Sequence, residues 1–362
     1  MNIKKIVFFA FLAVFTWGCG SDAPTDDTNT GDGITLSAFS LGSNSGAPDV
    51  NSSTMEAVWS SATPLIVSVS PIGENFIGDP GSFNVTLKAV TTTQDIYFLA
   101  EYEDATENIL RQPLKFNGGN VTDQTKWSHE VDSYDDGFSL VFQHTPGTSG
   151  AKTFSSDGCQ MLCHTATTAQ WDPGMFSESA GRYDMWYWNA GKSNGCGVAD
   201  DKICIGSPNY EMQKDDINQE NYLYNVIDFA PGFTPYLVAG PSNLGLDKKY
   251  FIAQSDSKDF LASTSKNPAT GSAWKSGDLV PAYYLSSTNP HNSGDYFDVA
   301  AKGYRSGSKW IVKFQRKLNT GSAELDIPFT LGNEYFFSFA VHNNNKPTNH
   351  YGAATKMFKL KL

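Results

Sequence analysis

The sequence predicts a mainly β protein. Several segments alternate apolar with polar residues, and one segment near the C-terminus is continuously apolar over the length of a strand. Alternation is typical of a strand that buries one face, whereas a short continuous apolar run is typical of a strand buried on both faces. Aromatic residues make up 13% of the chain, which suits either a β-sandwich core or a cofactor pocket.

The first residues have the pattern of an export signal. Residues 1–5 contain two lysines, residues 6–14 form an unbroken apolar run, and Gly18 precedes Cys19. This order is typical of a secretory signal peptide, and the run is shorter than the roughly 20 residues of a membrane-spanning helix. We therefore expect a signal peptide over residues 1–18. Cys19 is expected to become the lipidated first residue of a lipoprotein; ordinary cleavage that leaves a spare thiol is the alternative.

A flexible, lipid-anchored tether is expected over residues 19–48. This stretch is rich in Asp, Thr, Ser, Gly and Asn and has few large apolar side chains, so it cannot bury a core. A single folded domain is expected over residues 49–362, attached to a membrane only through the lipid. Loss of the signal peptide removes two lysines and no acids, which changes the formal net charge from −12 to −14. That charge disfavours nucleic acids and anionic membrane surfaces as partners.

The domain is expected to open with one short helix and a hairpin. Ser53 and Glu56 have the spacing of a capping box, which predicts a helix that ends near Trp59. Apolar residues then alternate over residues 83–89. Residues 96–102 are the expected antiparallel partner of that strand.

Four further strands are expected, separated by a long irregular region. They are residues 138–142, residues 310–314, the continuously apolar residues 335–341, and the closing strand 358–362. Between about residues 144 and 220 the alternation breaks into Gly, Asp, Ser and aromatic residues. We expect a loop-rich insertion there.

Four of the five cysteines lie within that insertion. Cys196 and Cys204 flank a short polar loop, and a disulfide is the expected pairing in an exported chain. Cys159 and Cys163 are separated by three residues, and His164 follows the second of them directly.

The Cys159-x-x-x-Cys163-His164 motif predicts a covalently attached haem. Attachment needs two thiols spaced to reach the two vinyl groups of the porphyrin, and a histidine next to the second thiol is then held under the iron. The commoner spacing has two residues between the cysteines, and three residues are a less common variant. A second disulfide beside a histidine without a role is the alternative, and zinc is weaker because no further ligands cluster nearby.

Seven stretches carry a resemblance to a known family. They are residues 96–106, 135–142, 184–188, 274–278, 298–303, 310–321 and 335–350. Together they resemble the haem-binding domain family of ethylbenzene dehydrogenase, which includes haem subunits of dimethyl sulfide dehydrogenase and chlorate reductase and many free-standing exported cytochromes. The resemblance implies an antiparallel β-sandwich with the haem between a sheet and loops.

The enzyme subunits of that family hold a b-type haem without covalent attachment, through Met and Lys ligands. Because this chain has a cysteine motif, it is similar to the c-type branch, and those ligand roles do not transfer. His164 is the expected proximal ligand. The distal ligand is open among the following residues: His129, His144, His291, His342, His350, Met175 and Met185. His350 is preferred, because the family places a ligand-bearing segment near its last strand.

The stretch of residues 184–188 contributes two tryptophans, Trp186 and Trp188, on either side of Tyr187. They are expected to form an aromatic wall for the haem, to fill the core, or to do both.

The expected function is therefore that of an exported c-type cytochrome with one covalent haem c. It would pass single electrons between respiratory partner proteins on the periplasmic or cell-surface side, as an outer-membrane lipoprotein. Two alternatives remain: a haem-free β-sandwich lipoprotein that binds a glycan or a protein, and a haem subunit of a molybdenum oxidoreductase. No nucleophile–base pair, phosphate loop or paired carboxylates stand in a recognisable setting, so intrinsic catalysis is not expected.

Overall fold

The computed structural model describes most of the expected domain. The described residues are 34–72, 81–121, 123–130, 132–162, 179–191, 193–206, 211–215, 222–224, 266–267, 270–280, 283–285, 298–344, 349–354 and 357–362. For residues 124, 196, 211–215, 222–224, 280 and 283–285, only the backbone is described.

Strands dominate the described residues. They are β1 (Thr35–Ser37), β2 (Phe39–Ser40), β3 (Leu65–Ile72), β4 (Phe83–Thr91), β5 (Asp95–Glu103), β6 (Leu114–Phe116), β7 (Trp127–His129), β8 (Gly137–Thr145), β9 (Thr148–Ser149), β10 (Lys152–Thr153), β11 (Arg182–Asn189), β12 (Asp200–Ile205), β13 (Glu211–Asp215), β14 (Tyr222–Tyr224), β15 (Leu279–Val280), β16 (Tyr283–Leu285), β17 (Ala300–Ser306), β18 (Lys309–Lys317), β19 (Glu334–His342), β20 (His350–Ala353) and β21 (Phe358–Lys361). The helical segments are α1 (Phe154–Asp157) and the 3-10 turns Ala57–Ser60, Gln124–Lys126, Gly158–Met161 and Asn194–Cys196.

Fourteen of these strands form one sheet. Its main path runs β13-β12-β11-β8-β19-β20-β3-β4-β5-β18-β17, with β1, β2 and β21 attached at its sides. Neighbours on the main path are antiparallel, whereas the short pairs β1–β21 and β2–β4 are parallel. The shorter strands form three small sheets, β9–β10, β14–β16 and β15–β6–β7.

The long sheet folds over on itself to make a sandwich. Phe98 on β5 packs against Phe142 on β8, with ring centroids 5.6 Å apart. Trp188 on β11 meets Trp310 on β18 edge to face at 5.1 Å. The two ends of the strand path therefore face each other across one aromatic core, and the mainly β sandwich predicted from the sequence is confirmed.

The predicted hairpin and central strands are confirmed. β4 and β5 pair antiparallel with Val85 opposite Tyr102. The segments predicted around residues 138–142, 310–314, 335–341 and 358–362 are β8, β18, β19 and β21. β19 lies between β8 and β21, as its continuous apolar run indicates.

The helix predicted from the capping box is wrong in form. A single 3-10 turn, Ala57–Ser60, follows Glu56, and Glu56 makes no capping hydrogen bond. Its carboxylate instead accepts from Lys313 Nζ (2.7 and 2.8 Å) and from Trp59 Nε1 (3.0 Å). Lys313 is 0% exposed, and a buried ammonium group needs a charged partner. The Glu56 carboxylate is that partner and is therefore not available to cap a helix.

The boundary expected between tether and domain at residue 48 is also wrong. Thr35–Ser37 already pairs with the closing strand, and Leu36 is 0% exposed in the main core. Ile34, Leu36 and Ala38 alternate with polar residues, so the strand pattern was present and was hidden by the polar composition of the longer segment. Residues 19–33 lie outside the described residues. None of the helices in the described part of the chain is long and apolar enough to cross a membrane.

The region of about residues 144–220 is less irregular than expected. Three of its segments, β11, β12 and β13, extend the main sheet beyond β8. β11 is buried on both faces, so it has no exposed face whose polar residues would alternate with the buried ones. Alternation therefore could not reveal it.

The absence of a side chain at Gly303 allows β17 to pack directly against the ring of Trp188. A Cβ at this position on β17 would overlap the six-membered ring of Trp188. Asn194 fixes the same contact, since its Oδ1 accepts from Trp188 Nε1 (3.0 Å) and from the Gly303 backbone N–H (2.8 Å). Trp188 is 0% exposed and has no room to retreat.

We expect Gly303→Ala to lower the free energy of unfolding by roughly 1–3 kcal/mol, the usual cost of overpacking a filled core. Urea unfolding measures it. Ser306→Ala, at the exposed end of the same strand, is the control and should stay near the wild type. Equal stability of all three proteins would contradict the packing described here.

Candidate functional site

The first cysteine of the attachment motif lies on a short helical turn. α1 begins after Thr153, whose backbone N–H donates to Ser156 Oγ (3.4 Å). It leads into the 3-10 turn Gly158–Met161. The chain turns at Gly158, whose φ of 57° lies in the region that favours glycine. This turn sets the position of Cys159, the next residue.

Cys159 is held against strand β19. Its backbone N–H donates to Ser338 Oγ (3.0 Å), and the bond is buried. Phe154 of the same turn stacks on Tyr183 of β11 at 5.3 Å. The buried cluster contains Val141, Phe154, Cys159, Met161, Leu162, Tyr183, Met185, Tyr187 and Cys204. It forms a second, smaller core on the face of the sheet opposite to the sandwich core.

Other predicted site residues lie outside the described residues. These are Cys19, Cys163, His164, Met175 and His291. Cys204 is buried on β12, but the side chain of its expected partner Cys196 is not among those described. Lipidation, thioether attachment, proximal ligation and the disulfide therefore stay predictions.

The structure brings His350 to the same place as Cys159. His350 begins β20 and is 5% exposed. The two residues line one small cavity, whose apolar wall includes Ile72, Phe339 and Phe358. The turn and the strand come from distant parts of the chain, so this convergence is a property of the fold.

His342 is the neighbour of His350 on the adjacent strand. Val341 pairs with Tyr351 in the antiparallel ladder, so the next residue after Val341, His342, faces the residue before Tyr351, His350. Their ring centroids are 5.6 Å apart. His342 is 5% exposed, and neither of its ring nitrogens has a hydrogen-bond partner among the described residues. Burial, with His350 and Arg111 nearby, holds the pKa of His342 well below its usual range.

Small side chains lie between two features of the site. One is the turn of residues 154–161 that carries Cys159, called here the cysteine turn, and the other is the two facing histidines, His342 and His350. On β19, Ser338, Ala340 and His342 share one face, because side chains alternate along a strand. Ser139 of β8 pairs with Ala340 on that face. Four residues of strand cover about 13 Å, which is on the scale of a porphyrin. Along β19 the face between Cys159 and His342 therefore carries small side chains, with Val141 opposite Ser338 on β8.

The two tryptophans of residues 184–188 do not form a wall on this face. Trp186 packs against Phe98 and Phe142 in the sandwich core, and Trp188 packs against Trp310. They fill the core, which is one of the two roles expected for them, and they do not line the described cavity. Tyr187, which alternates to the other face, lies 4.8 Å from the ring of His342.

The remaining described candidates lie apart from the cavity or beneath the turn. Met185 is buried in the smaller core under the cysteine turn. His129 ends β7, in one of the small sheets. His144 is half-buried on β8, and burial lowers its pKa. Among charged groups, Asp184 and Arg182 of β11 act on it most strongly, and neither lines the cavity.

Three residues of this site escaped the sequence analysis or were not preferred there. Ser338 and Tyr187 were not singled out as site residues, since a serine in a strand and a tyrosine between tryptophans carry no specific signal. His342 was one of several histidines. Its position at the end of the apolar run of residues 335–341 is the signal that could have raised it above the others.

The sequence profile described as ethylbenzene dehydrogenase matches residues 56–354. The chain belongs to the ethylbenzene dehydrogenase family. The match covers the described sandwich almost entirely, including the cysteine turn and both histidines of the pair, and it confirms the resemblance seen in the sequence.

Solved structures with a similar course of the chain are more distant. A family 9 carbohydrate-binding module from Caldicellulosiruptor kristjanssonii in complex with glucose is 8% identical, with a TM-score of 0.33 over 91% of this chain and 95% of that chain. The same organism's module in complex with cellotriose is 9% identical, with a TM-score of 0.33 over 91% and 92%. Likeness at this level carries no argument about ligands. No curated protein sequence matches the chain.

We expect Ser338→Ala to lower the free energy of unfolding by about 1–3 kcal/mol, because it leaves the buried N–H of Cys159 without its acceptor. Urea unfolding of the haem-free chain measures this. Ser139→Ala changes a buried serine on the same face of the neighbouring strand and is the matched control. If both variants lose the same stability, the Ser338–Cys159 bond has no special part in holding the turn.

Proposed function

We propose that this member of the ethylbenzene dehydrogenase family is an exported c-type cytochrome. It holds one haem through Cys159 and Cys163, with His164 and His350 as axial ligands, and it passes single electrons between redox partner proteins. A lipid on Cys19 attaches it to a membrane on the periplasmic or cell-surface side. The observation that carries the proposal is that Cys159 and His350 line the same cavity.

The chemistry of the described residues suits a haem, whereas the cavity that Cys159 and His350 line, about 10 Å³, is much smaller than the group itself. Cys159 is anchored to β19 beside a face of small side chains. Apolar residues wall the cavity next to His350. Each of these features suits a flat, largely apolar group with a metal at its centre.

The haem supplies reversible one-electron chemistry when it is bound. The protein contributes the two thioether positions, two imidazoles and a buried setting. Phe339 and Phe358 keep water from the cavity beside His350. Burial and ligand identity are two of the features that set a haem potential, and two imidazoles generally set a lower potential than imidazole with methionine.

Family membership also supports a second candidate, a haem subunit of an oxidoreductase complex. In that case the same site would exchange electrons with a catalytic subunit. Affinity purification of the native, tagged chain separates the two: a stoichiometric molybdenum-containing partner supports the subunit, and a haem protein without such a partner supports the free cytochrome.

We expect the mature chain, produced together with a c-type haem maturation system, to carry one covalent haem. Acid–acetone extraction should leave the colour with the protein, and reduction should give a sharp α band. Cys159→Ser with Cys163→Ser should abolish the covalent colour. Cys204→Ser, which changes a cysteine outside the motif, is the control and should keep it. Haem that extracts freely from the wild type would refute the covalent assignment.

We expect His350→Ala to convert a low-spin, six-coordinate haem into a high-spin one that binds carbon monoxide readily when reduced. The reason is that loss of the distal imidazole leaves the sixth position open. Absorption spectra of the oxidised and reduced protein measure it. His342→Ala is the matched control, since it removes the facing imidazole from the same pair of strands and should leave the spectrum low-spin.

The distal assignment is wrong if His350→Ala keeps a low-spin spectrum while His342→Ala, Met185→Ala or Met175→Ala loses it. The covalent haem would survive that result, because attachment depends on the cysteines alone.

A further inference from the structure

His342 and His350 face each other on β19 and β20 and are called here the histidine pair. The cytochrome proposal gives a role to only one of them. His350 has a proposed role as an iron ligand. His342 has none, although it is buried and both of its nitrogens lack a hydrogen-bond partner among the described residues. Leaving a buried polar group without a partner costs about 1–3 kcal/mol, so binding of a ligand by His342 would be favourable.

The spacing of the rings fits a shared metal ion. In a tetrahedral site with metal–nitrogen bonds of about 2.0–2.1 Å, two imidazole ring centres lie about 5.2 Å apart. The centres of His342 and His350 are 5.6 Å apart, and their planes are inclined by 50°. A shift of a few tenths of an ångström in either ring closes the difference.

The described neighbours of His342 are an aromatic ring and a cation whose charge is compensated. Tyr187 covers one side of His342 at 4.8 Å. Arg111 also acts on His342, and Asp135 at 3.6 Å offsets its charge. A divalent ion at the histidine pair would therefore meet no uncompensated positive charge from this group.

We propose that the histidine pair is a binding site for one first-row divalent transition-metal ion in the chain that carries no haem. Imidazole suits zinc, copper, nickel and iron alike, so the geometry assigns the class of ion and not the element. The site is formed by the ladder between β19 and β20. It does not depend on Cys159, Cys163 or His164, and it therefore stands independently of the proposed cytochrome function.

The two uses of His350 exclude each other. A neutral imidazole has one nitrogen with an available lone pair, and His350 cannot give it to the haem iron and to a second metal ion together. The metal site thus belongs to the state before haem attachment.

The test uses Zn²⁺ and the full mature chain with Cys159→Ala and Cys163→Ala, which removes the two thiols of the attachment motif and prevents haem attachment. Competition with a chromophoric chelator should show one Zn²⁺ per chain. His342→Ala and His350→Ala should each weaken binding by more than about 10-fold, since even residues that only orient a ligand cost about 10–100-fold. His144→Ala, at a half-buried histidine on β8, is the matched control and should leave Zn²⁺ affinity unchanged.

Circular dichroism of each variant without metal verifies folding, and His342→Gln replaces His342→Ala if the latter is unfolded. The proposal fails if Zn²⁺ does not bind, or if it binds equally well to folded variants of His342 and His350. The haem-loaded wild type provides a separate arm. If it also binds Zn²⁺ at the histidine pair, the distal assignment of His350 is wrong, whereas the metal site itself is supported.

Discussion

The organisation of this molecule depends on β11, a strand that is buried on both faces. Trp186 and Trp188 point into the sandwich core, where they meet β5 and β18. Tyr183, Met185 and Tyr187 point the other way, into the smaller core beneath the cysteine turn. Because one strand supplies both cores, the sandwich and the candidate site cannot be rearranged separately.

A buried ion pair fixes β11 against the opposite layer. Arg316 on β18 is 1% exposed and bonds to Asp184 on β11, with Asp326 at 3.4 Å. Its guanidinium also lies 4.8 Å from the ring centre of Trp186. Removal of either charge from such a pair leaves the other buried and unpaired, which is the costly case. The pairing therefore ties the register of β11 to that of the far layer.

Sequence patterns predicted the strands whose apolar residues alternate or form a continuous run. β4, β8 and β18 were found by alternation, β5 as the hairpin partner of β4, and β19 by its continuous apolar stretch. The patterns missed what long-range contacts decide. Glu56 binds the distant Lys313 instead of a helix cap, and Leu36 gains its strand from the last residues of the chain.

The candidate site shows the same division. The spacing of Cys159, Cys163 and His164 is local, and the haem prediction rests on it. The position of His350 beside Cys159 depends on the order of strands in the sheet, and it was reached only through a family resemblance. Residues 186–188 are all aromatic, so the sequence does not show which of them faces the site. That depends on how the strand is oriented in the sheet.

The ladder between β19 and β20 has a consequence for how the sequence can change. The two facing histidines stand at either end of one connection, residues 343–349, yet the pairing of Val341 with Tyr351 holds them together. Insertions or deletions within that connection need not separate the rings, whereas a one-residue slip of either strand would turn one imidazole to the opposite face. The connection is thus a place where the length of the chain can vary while the two rings beside it keep their spacing.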